Sequence, residues 1–320
     1  MPLLFTIAFR NVLRQRRRSL LTALSMTGGY ILCCLSFSLV EGSYNHIIEI
    51  FTRDHTGHIQ IHQGNYLTRP NIHKSIDRTD DVESVLGNHP AVVSFTPRIF
   101  SPALAYANDN NTPAQVIGVH PSREAKTSRL EEKVGAGNYL SPAPNRDGYF
   151  NALIGRSIAD LLEANVGDEL ILISQGADGS IANDIFIIQG IVGTRTSWDR
   201  LNVFLPIDAA RQFLSMGNEA HEYTLLLESS DEARSVTGDL ASKLPELTIS
   251  PWQEVEATFY RTMQSDKQGN LVTLGIIIFI VFIGGLNTVL MSVLERTREF
   301  GVLKAIGSRP RLIATMIFLE

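Results

Sequence analysis

Two stretches of this chain carry no charged residue, Ser19–Val40 and Leu271–Leu294. At a rise of 1.5 Å per residue, about 20 apolar residues cross a bilayer core of roughly 30 Å. A soluble core helix seldom stays uncharged for that long. We therefore expect two transmembrane helices, residues 19–42 and 271–294. Residues 43–270 between them have ordinary soluble composition, so the chain's 44% hydrophobic content is an average over two kinds of segment. The first run could also serve as a signal peptide. It is long for one, and Ser36-Phe37-Ser38 is a poor small-x-small cleavage site, so it is expected to stay in the chain.

Charge sets the orientation. Arg10, Arg14, Arg16, Arg17 and Arg18 precede the first run with no acidic residue among them. Arg296, Arg298, Lys304, Arg309 and Arg311 follow the second, against Glu295, Glu299 and Glu320. The middle holds 18 Lys/Arg against 29 Asp/Glu, a net charge of −11. Basic flanks stay in the cytoplasm, and long loops translocate largely regardless of charge. Residues 1–18 are thus expected to be a cytoplasmic basic segment and residues 43–270 an extracytoplasmic domain, with both chain ends in the cytoplasm. The overall charge of −5 averages two compartments and says nothing of nucleic acid. In residues 1–18, Leu4, Ile7, Ala8, Asn11 and Val12 recur at helical spacing. Such a helix either lies on the inner membrane face or extends into the cytoplasm.

The middle mixes strand and helix signals. "HIQIH" alternates, which turns Ile59 and Ile61 to a core and His58, Gln60 and His62 the other way. "AVVSFTPRIF", "AQVIGVH", "DELILIS", "IFIIQGIVG", "NVFLPI" and "EYTLLLES" read as strands, and "SIADLLEAN", "PIDAARQFLS" and "SDEARSVTGDLASKL" as helices. "NDNNTP" and "SPAPNRDG" read as exposed loops. The fold class expected is a membrane α-helical protein with a large extracytoplasmic α+β domain inserted between its first two transmembrane helices. The only cysteines, Cys33 and Cys34, lie inside the first apolar run, so the domain must be held by its own core.

No catalytic or metal centre is expected. His58 and His62 on one strand face would stand about 13 Å apart, too far to share an ion. "GADGSIAND" lacks the spaced carboxylates of a calcium loop and reads as a hairpin. The chain contains neither a phosphate-cradling G-x-x-x-x-G-K-[ST] nor a G-x-S-x-G nucleophile turn. Gly284, Gly285 and Asn287 in the second run, with Gly28 and Gly29 in the first, read as helix-packing positions, where small residues permit close approach and an amide can bond a neighbour.

The second run ends in "ERTREFGVLKAIGSRPR", residues 295–311. Glu295 can pair with Arg298, and Arg296 with Glu299, at i,i+3 spacing. Phe300, Leu303 and Gly307 share one helical face beside a small-residue stripe of Gly301, Ala305 and Ser308. Gly307 and Pro310 stop or bend the helix. Such a ridge suits a groove on a partner or rests on lipid.

"LNTVLMSVLERTREFGVLKAIGSRPRLIATMIFLE" resembles the signature of the FtsX-type permeases, the membrane subunits of the MacB and lipoprotein-releasing (LolC/LolE) group of ABC transporters. The matching positions are Asn287, Ser292 to Arg296, Glu299 to Gly301, Ala305 to Gly307, and Glu320. "IAFRNVLRQRRRSLLTALSMTGG" and "GHIQIHQGNY" are similar to the family's entry segment and to the start of its exterior domain. The resemblance implies a MacB-like periplasmic core in residues 43–270, a non-catalytic subunit, and a coupling helix in residues 295–311 with Glu295, Arg296, Glu299, Phe300, Gly301, Leu303, Ala305 and Gly307 facing a cytoplasmic ABC ATPase. ATP and magnesium would bind that ATPase, and no cofactor is expected in this chain. It also implies four spans, membrane lipid contacts and a second permease subunit, identical or sister. Residues 312–320 would begin a third span, which makes the chain a C-terminally truncated form by this comparison. The function implied is mechanical: ATPase motion drives extracytoplasmic movement of a lipoprotein or other amphiphile, with a periplasmic adaptor or carrier as a further partner. The alternative is an FtsX-like regulator that transmits ATPase motion to a cell-wall hydrolase.

The arginine clusters carry a topology test. A reporter fused after Gln175 should read as extracytoplasmic and one fused after Gly307 as cytoplasmic. Reversal of either reading removes the two-span arrangement.

Overall fold

The computed structural model describes residues 16–319. The amphipathic pattern at Leu4, Ile7, Ala8, Asn11 and Val12, and the motif position Glu320, lie outside the described residues. The chain divides into two compact units, residues 46–260 and the segments on either side of them.

Helix α1 (Arg16–Phe51) carries the first apolar run. It ends in one π turn, Thr52–Thr56, closed by the Gly57 N–H on the Thr52 carbonyl at 2.6 Å. Gly57 has φ +67, and a Cβ there would strike Thr224, so only glycine turns the chain into β1 (Ile59–Gln63). Then follow α2 (Thr79–Gly87), β2 (Val92–Ala107), β3 (Asn110–Val119), α3 (Pro121–Thr127), β4 (Val134–Gly137), β5 (Asn151–Gly155) and α4 (Arg156–Leu162). Next come β6 (Glu169–Gln175), β7 (Ile181–Val192), β8 (Asn202–Pro206), α5 (Ile207–Phe213), β9 (Glu222–Leu227), α6 (Ala233–Lys243), β10 (Leu247–Pro251) and a single turn, α7 (Trp252–Val255). The last helices are α8 (Ala257–Glu295), α9 (Thr297–Ala305) and α10 (Pro310–Leu319).

In residues 46–260 the strands run β10-β1-β9-β2 at one end, all antiparallel. With α2 after β1 and α6 after β9, this is a split β-α-β-β-α-β layout of ferredoxin-like type. The second half of β2 leaves that sheet. From Arg98 onward it pairs with β3, β3 pairs with β8, β8 with β5, β5 with β7, β7 with β6, and β6 returns to β2 at Leu104–Tyr106. The pairing therefore closes into a six-stranded ring between β2 and β9. Ile99, Val116, Ile154, Leu170, Phe186 and Val203 from its strands share one apolar cluster with Ile158 and Leu162 of α4 and Phe213 of α5. Closure leaves the ring few unpaired edges.

Two local expectations need correction. His58, Gln60 and His62 do not face solvent: they are 5%, 6% and 1% exposed. β1 is an interior strand between β9 and β10 with both faces covered, so strict alternation marks two different buried layers and not inside against outside. His58 Nδ1 accepts the Leu227 N–H at 3.1 Å, and His62 Nε2 meets Glu222 Oε2 at 3.1 Å. Tyr66 stacks between His62 and His221, and His221 bonds the Phe100 N–H and the Ile72 carbonyl, both at 2.9 Å. The second correction concerns "NDNNTP". Only Asn108 and Asp109 are turn residues, with φ +48 and +64, and β3 starts at Asn110. Two successive positive φ values make a tight hairpin that Asn and Asp tolerate.

Burial, reinforced by the nearby Arg53 charge, lowers the His58 pKa from 6.5 to about 4. The folded form thus binds this proton less readily than the unfolded chain. Its contribution is intact above pH 6.5 and is lost as pH falls toward 4, by up to about 3 kcal/mol. A fragment spanning residues 46–260 should lose stability across that window in denaturant titrations. His58→Asn keeps an acceptor for Leu227 without titrating, and should flatten the pH profile; an unchanged profile would remove His58 as its source.

Candidate functional site

Helix α8 contains the second apolar run and α1 the first. Their side chains are open to the surroundings: Leu35, Phe279 and Ile280 are each 62% exposed. A surface that apolar over two long helices suits lipid and not water. Where the apolar runs meet polar sequence, the two helices are tied together. Lys267 Nζ reaches Glu41 Oε1 at 3.1 Å and sits over the Tyr44 ring at 5.2 Å, and Asn270 Nδ2 donates to Tyr44 Oη at 3.2 Å. Deeper in the runs, a Cβ on Gly29 would lie 3.1 Å from Val281 Cγ2, and one on Gly285 would overlap Met26 Cε. The contacts pair rising numbers on α1 with falling numbers on α8, an antiparallel register. Gly285 is buried, as close packing requires. A Cβ on Gly284 would meet nothing within 4 Å, and Asn287 is exposed, so neither of these two is placed at this helix pair.

The second run ends abruptly. Glu295 closes α8, and Arg296, at φ −104 and ψ 12, breaks the helical path and becomes the residue before α9. Its guanidinium pairs with Glu299 Oε2 at 2.9 Å and lies 5.4 Å from the centre of the Phe300 ring. That pair places an acidic side chain in the first turn, where the helix dipole favours it. At the other end, the Ile306 N–H bonds the Val302 carbonyl, and the Ser308 N–H bonds the Leu303 carbonyl at 3.0 Å. Gly307 has φ +93, the left-handed position that ends helices. Pro310 then opens α10. The result is a short helix with both ends defined by its own sequence.

Phe300 and Leu303 are half-buried, and Gly307 caps the helix instead of extending its apolar ridge. The open face carries Gly301 and Ala305, with Val302 and Ile306 63% and 75% exposed. A Cβ on Gly301 would meet nothing within 4 Å. Val302 and Ile306 went unnamed in the sequence reading; their i,i+4 spacing was the available signal. The face is thus an apolar pair beside small residues, bordered by the charged pair Arg296–Glu299. Among the described residues no cluster of three or more His, Cys, Asp or Glu is arranged to hold a metal.

Two known domain families match successive parts of the chain. Residues 19–243 match the MacB-like periplasmic core domain and residues 271–320 the FtsX-like permease C-terminal domain. The lipoprotein-releasing system transmembrane protein LolC of Xylella fastidiosa strain Temecula1 is 27% identical over 240 residues, 72% of this chain and 56% of that protein. LolC of Neisseria meningitidis serogroup B is 22% identical over 257 residues, 77% of this chain and 61% of that protein. The chain therefore spans little more than half the length of these relatives. The periplasmic region of MacB from Actinobacillus actinomycetemcomitans superposes with a TM-score of 0.45 at 16% identity, covering 63% of this chain and 91% of that one. The extracellular domain of the noncanonic ABC-type transporter YknZ from Gram-positive bacteria gives 0.42 at 12%, covering 60% and 98%. With a core-domain match over most of its length and a permease match after it, the chain belongs to the FtsX-like permeases of the MacB and LolC type.

Proposed function

We propose that this chain is the permease subunit of an ABC transporter in which a separate cytoplasmic ATPase drives extracytoplasmic movement of a lipoprotein or comparable amphiphile. In this reading residues 43–270 are extracytoplasmic, the runs 19–42 and 271–294 span the inner membrane, and a second permease subunit completes the assembly. The observation that supports it best is α9. A bare anchor needs no second helix at its cytoplasmic end, still less one with its own terminal glycine and open apolar face. Docked in an ATPase groove, the face Gly301, Val302, Ala305 and Ile306 would receive motion, and Arg296 and Glu299 would add charge complementarity at its rim. The polar tie of Glu41, Tyr44, Lys267 and Asn270 would let α1 and α8 carry that motion as one body. No residue of this chain is assigned a part in ATP hydrolysis. The LolC relatives favour lipoprotein as the cargo.

The test uses the full-length protein with its ATPase. Gly301→Leu and Ala305→Trp add bulk to the docking face, and overpacking a fitted contact costs about 1–3 kcal/mol, on the order of tenfold or more in affinity at the middle of that range. Ile306→Asp removes the apolar contact instead. These variants should reach the membrane normally, yet lose co-purification of the ATPase or uncouple hydrolysis from cargo release. Normal binding and release in all three would mean that α9 rests on lipid.

A further inference from the structure

Residues 46–260 form an open cavity of about 460 Å³ at the place where the two strand systems meet. Its walls are of two kinds. One is apolar, formed by Leu67, Phe100, Ile117, Trp198 and Phe204. The other carries five carboxylates, Asp54, Glu124, Asp199, Glu222 and Glu256, against the cations Arg98 and Lys133. Both cations are committed. Arg98 holds Glu124 at 2.6 Å and Glu222 at 3.4 Å, and Lys133 pairs with Asp199. His55, stacked on Trp198 at 4.7 Å, lies 3.5 Å from Glu256 Oε1; burial lowers its pKa and that carboxylate pulls the other way. The carboxylates of the lining outnumber its permanent cations, while Glu222 also meets His62 at 3.1 Å and Asp54 lies 3.9 Å from Arg129.

A second feature is independent of that charge count. Gln60 is 6% exposed and lines the same cavity. Its Nε2 donates to the Thr56 carbonyl at 3.0 Å, while its Oε1 has no hydrogen-bond partner. Asp54 Oδ1 likewise accepts no hydrogen bond and has only ionic contacts at 3.9 Å to Arg129 and Lys133. The lining's unpartnered atoms are acceptors, so a complementary ligand brings donors and positive charge. We propose that this cavity is a binding site for an organic cation, an ammonium or guanidinium group on an apolar body. The charged group bonds Gln60 Oε1 and faces Asp54 and Glu256, and the body lies along Trp198 and Phe204. Trp198, 56% exposed, adds the ring face that attracts cations.

The site is distinct from α9, and binding is read without the ATPase, so its failure leaves the permease reading standing. The probe is 2-phenylethylammonium, with 2-phenylethanol and 3-phenylpropionate as neutral and anionic counterparts, titrated against the full chain in a non-ionic detergent. Trp198 fluorescence and calorimetry give the affinities. The ammonium should bind saturably, at least tenfold more tightly than either counterpart, and the fluorescence change should vanish in Trp198→Phe. Gln60→Leu removes the unpartnered acceptor and should weaken binding about tenfold. Glu256→Gln, half-exposed at the margin, should weaken it severalfold with unchanged thermal stability, which guards against a folding defect in the buried variant. Absence of saturable ammonium binding, equal affinity for all three probes, a signal retained in Trp198→Phe, or unchanged affinity in both cavity variants overturns the proposal.

Discussion

The domain of residues 46–260 is organised around one buried cation. Arg98 is 9% exposed and stands where β2 passes from the split sheet into the ring, opposite Glu222 on β9 and Val119 on β3. Its Nη2 and Nε hold Glu124 of α3 at 2.6 and 3.2 Å, its Nη1 reaches Glu222 at 3.4 Å, and it also donates to the His55 carbonyl. Burial works against its charge, but the two carboxylates more than offset it and raise its pKa above the usual guanidinium value. For Glu222 the same contest runs in mirror image. Burial would raise its pKa, and the hydrogen bond from His62 with the charges of His62 and Arg98 holds it down. Loss of one member of such a group strands the others in a dry site, at about 3–5 kcal/mol. Two strand systems, α3 and the end of the π turn are therefore locked to a single guanidinium.

The two long apolar helices and the end of α9 were legible because they rest on local rules. An uncharged run must be satisfied by helix in lipid, and Gly307 followed by Pro310 can only end one helix and start another. The strands of Phe95, Val116, Leu172, Ile188, Val203 and Leu225 also announced themselves through β-branched and apolar density. The parts that escaped depend on partners distant in sequence. β5 and β10 are short, and their pairing with β7, β8 and β1 decides them. The histidines of β1 looked like a polar face because alternation cannot distinguish water from a buried layer of Tyr66, His221 and Glu222, brought from elsewhere in the chain.

The same limit applied to the site. Spacing put Phe300, Leu303 and Gly307 on one face, but α9 ends at Ala305, so Gly307 caps the helix and does not extend that face. Gly285 and Gly284 are adjacent and chemically identical, yet only Gly285 meets Met26, since the register of α8 against α1 is set by pairs such as Glu41–Lys267. Residue type identified the kind of contact, and the rotation of each helix identified the member that makes it.

The domain of residues 46–260 begins and ends on neighbouring strands. β1 and β10 are antiparallel, and their first pair, Ile59 with Pro251, lies at the end where the chain enters and leaves. A displacement that carries both strands together leaves all five pairs from Ile59–Pro251 to Gln63–Leu247 intact and moves the domain as a rigid load. A displacement that separates them acts on the Ile59–Pro251 end first and unzips the ladder one bond after another, the mode in which a sheet is mechanically weakest. The domain is in this sense a directional fuse: stiff to common traction, compliant to opposed traction.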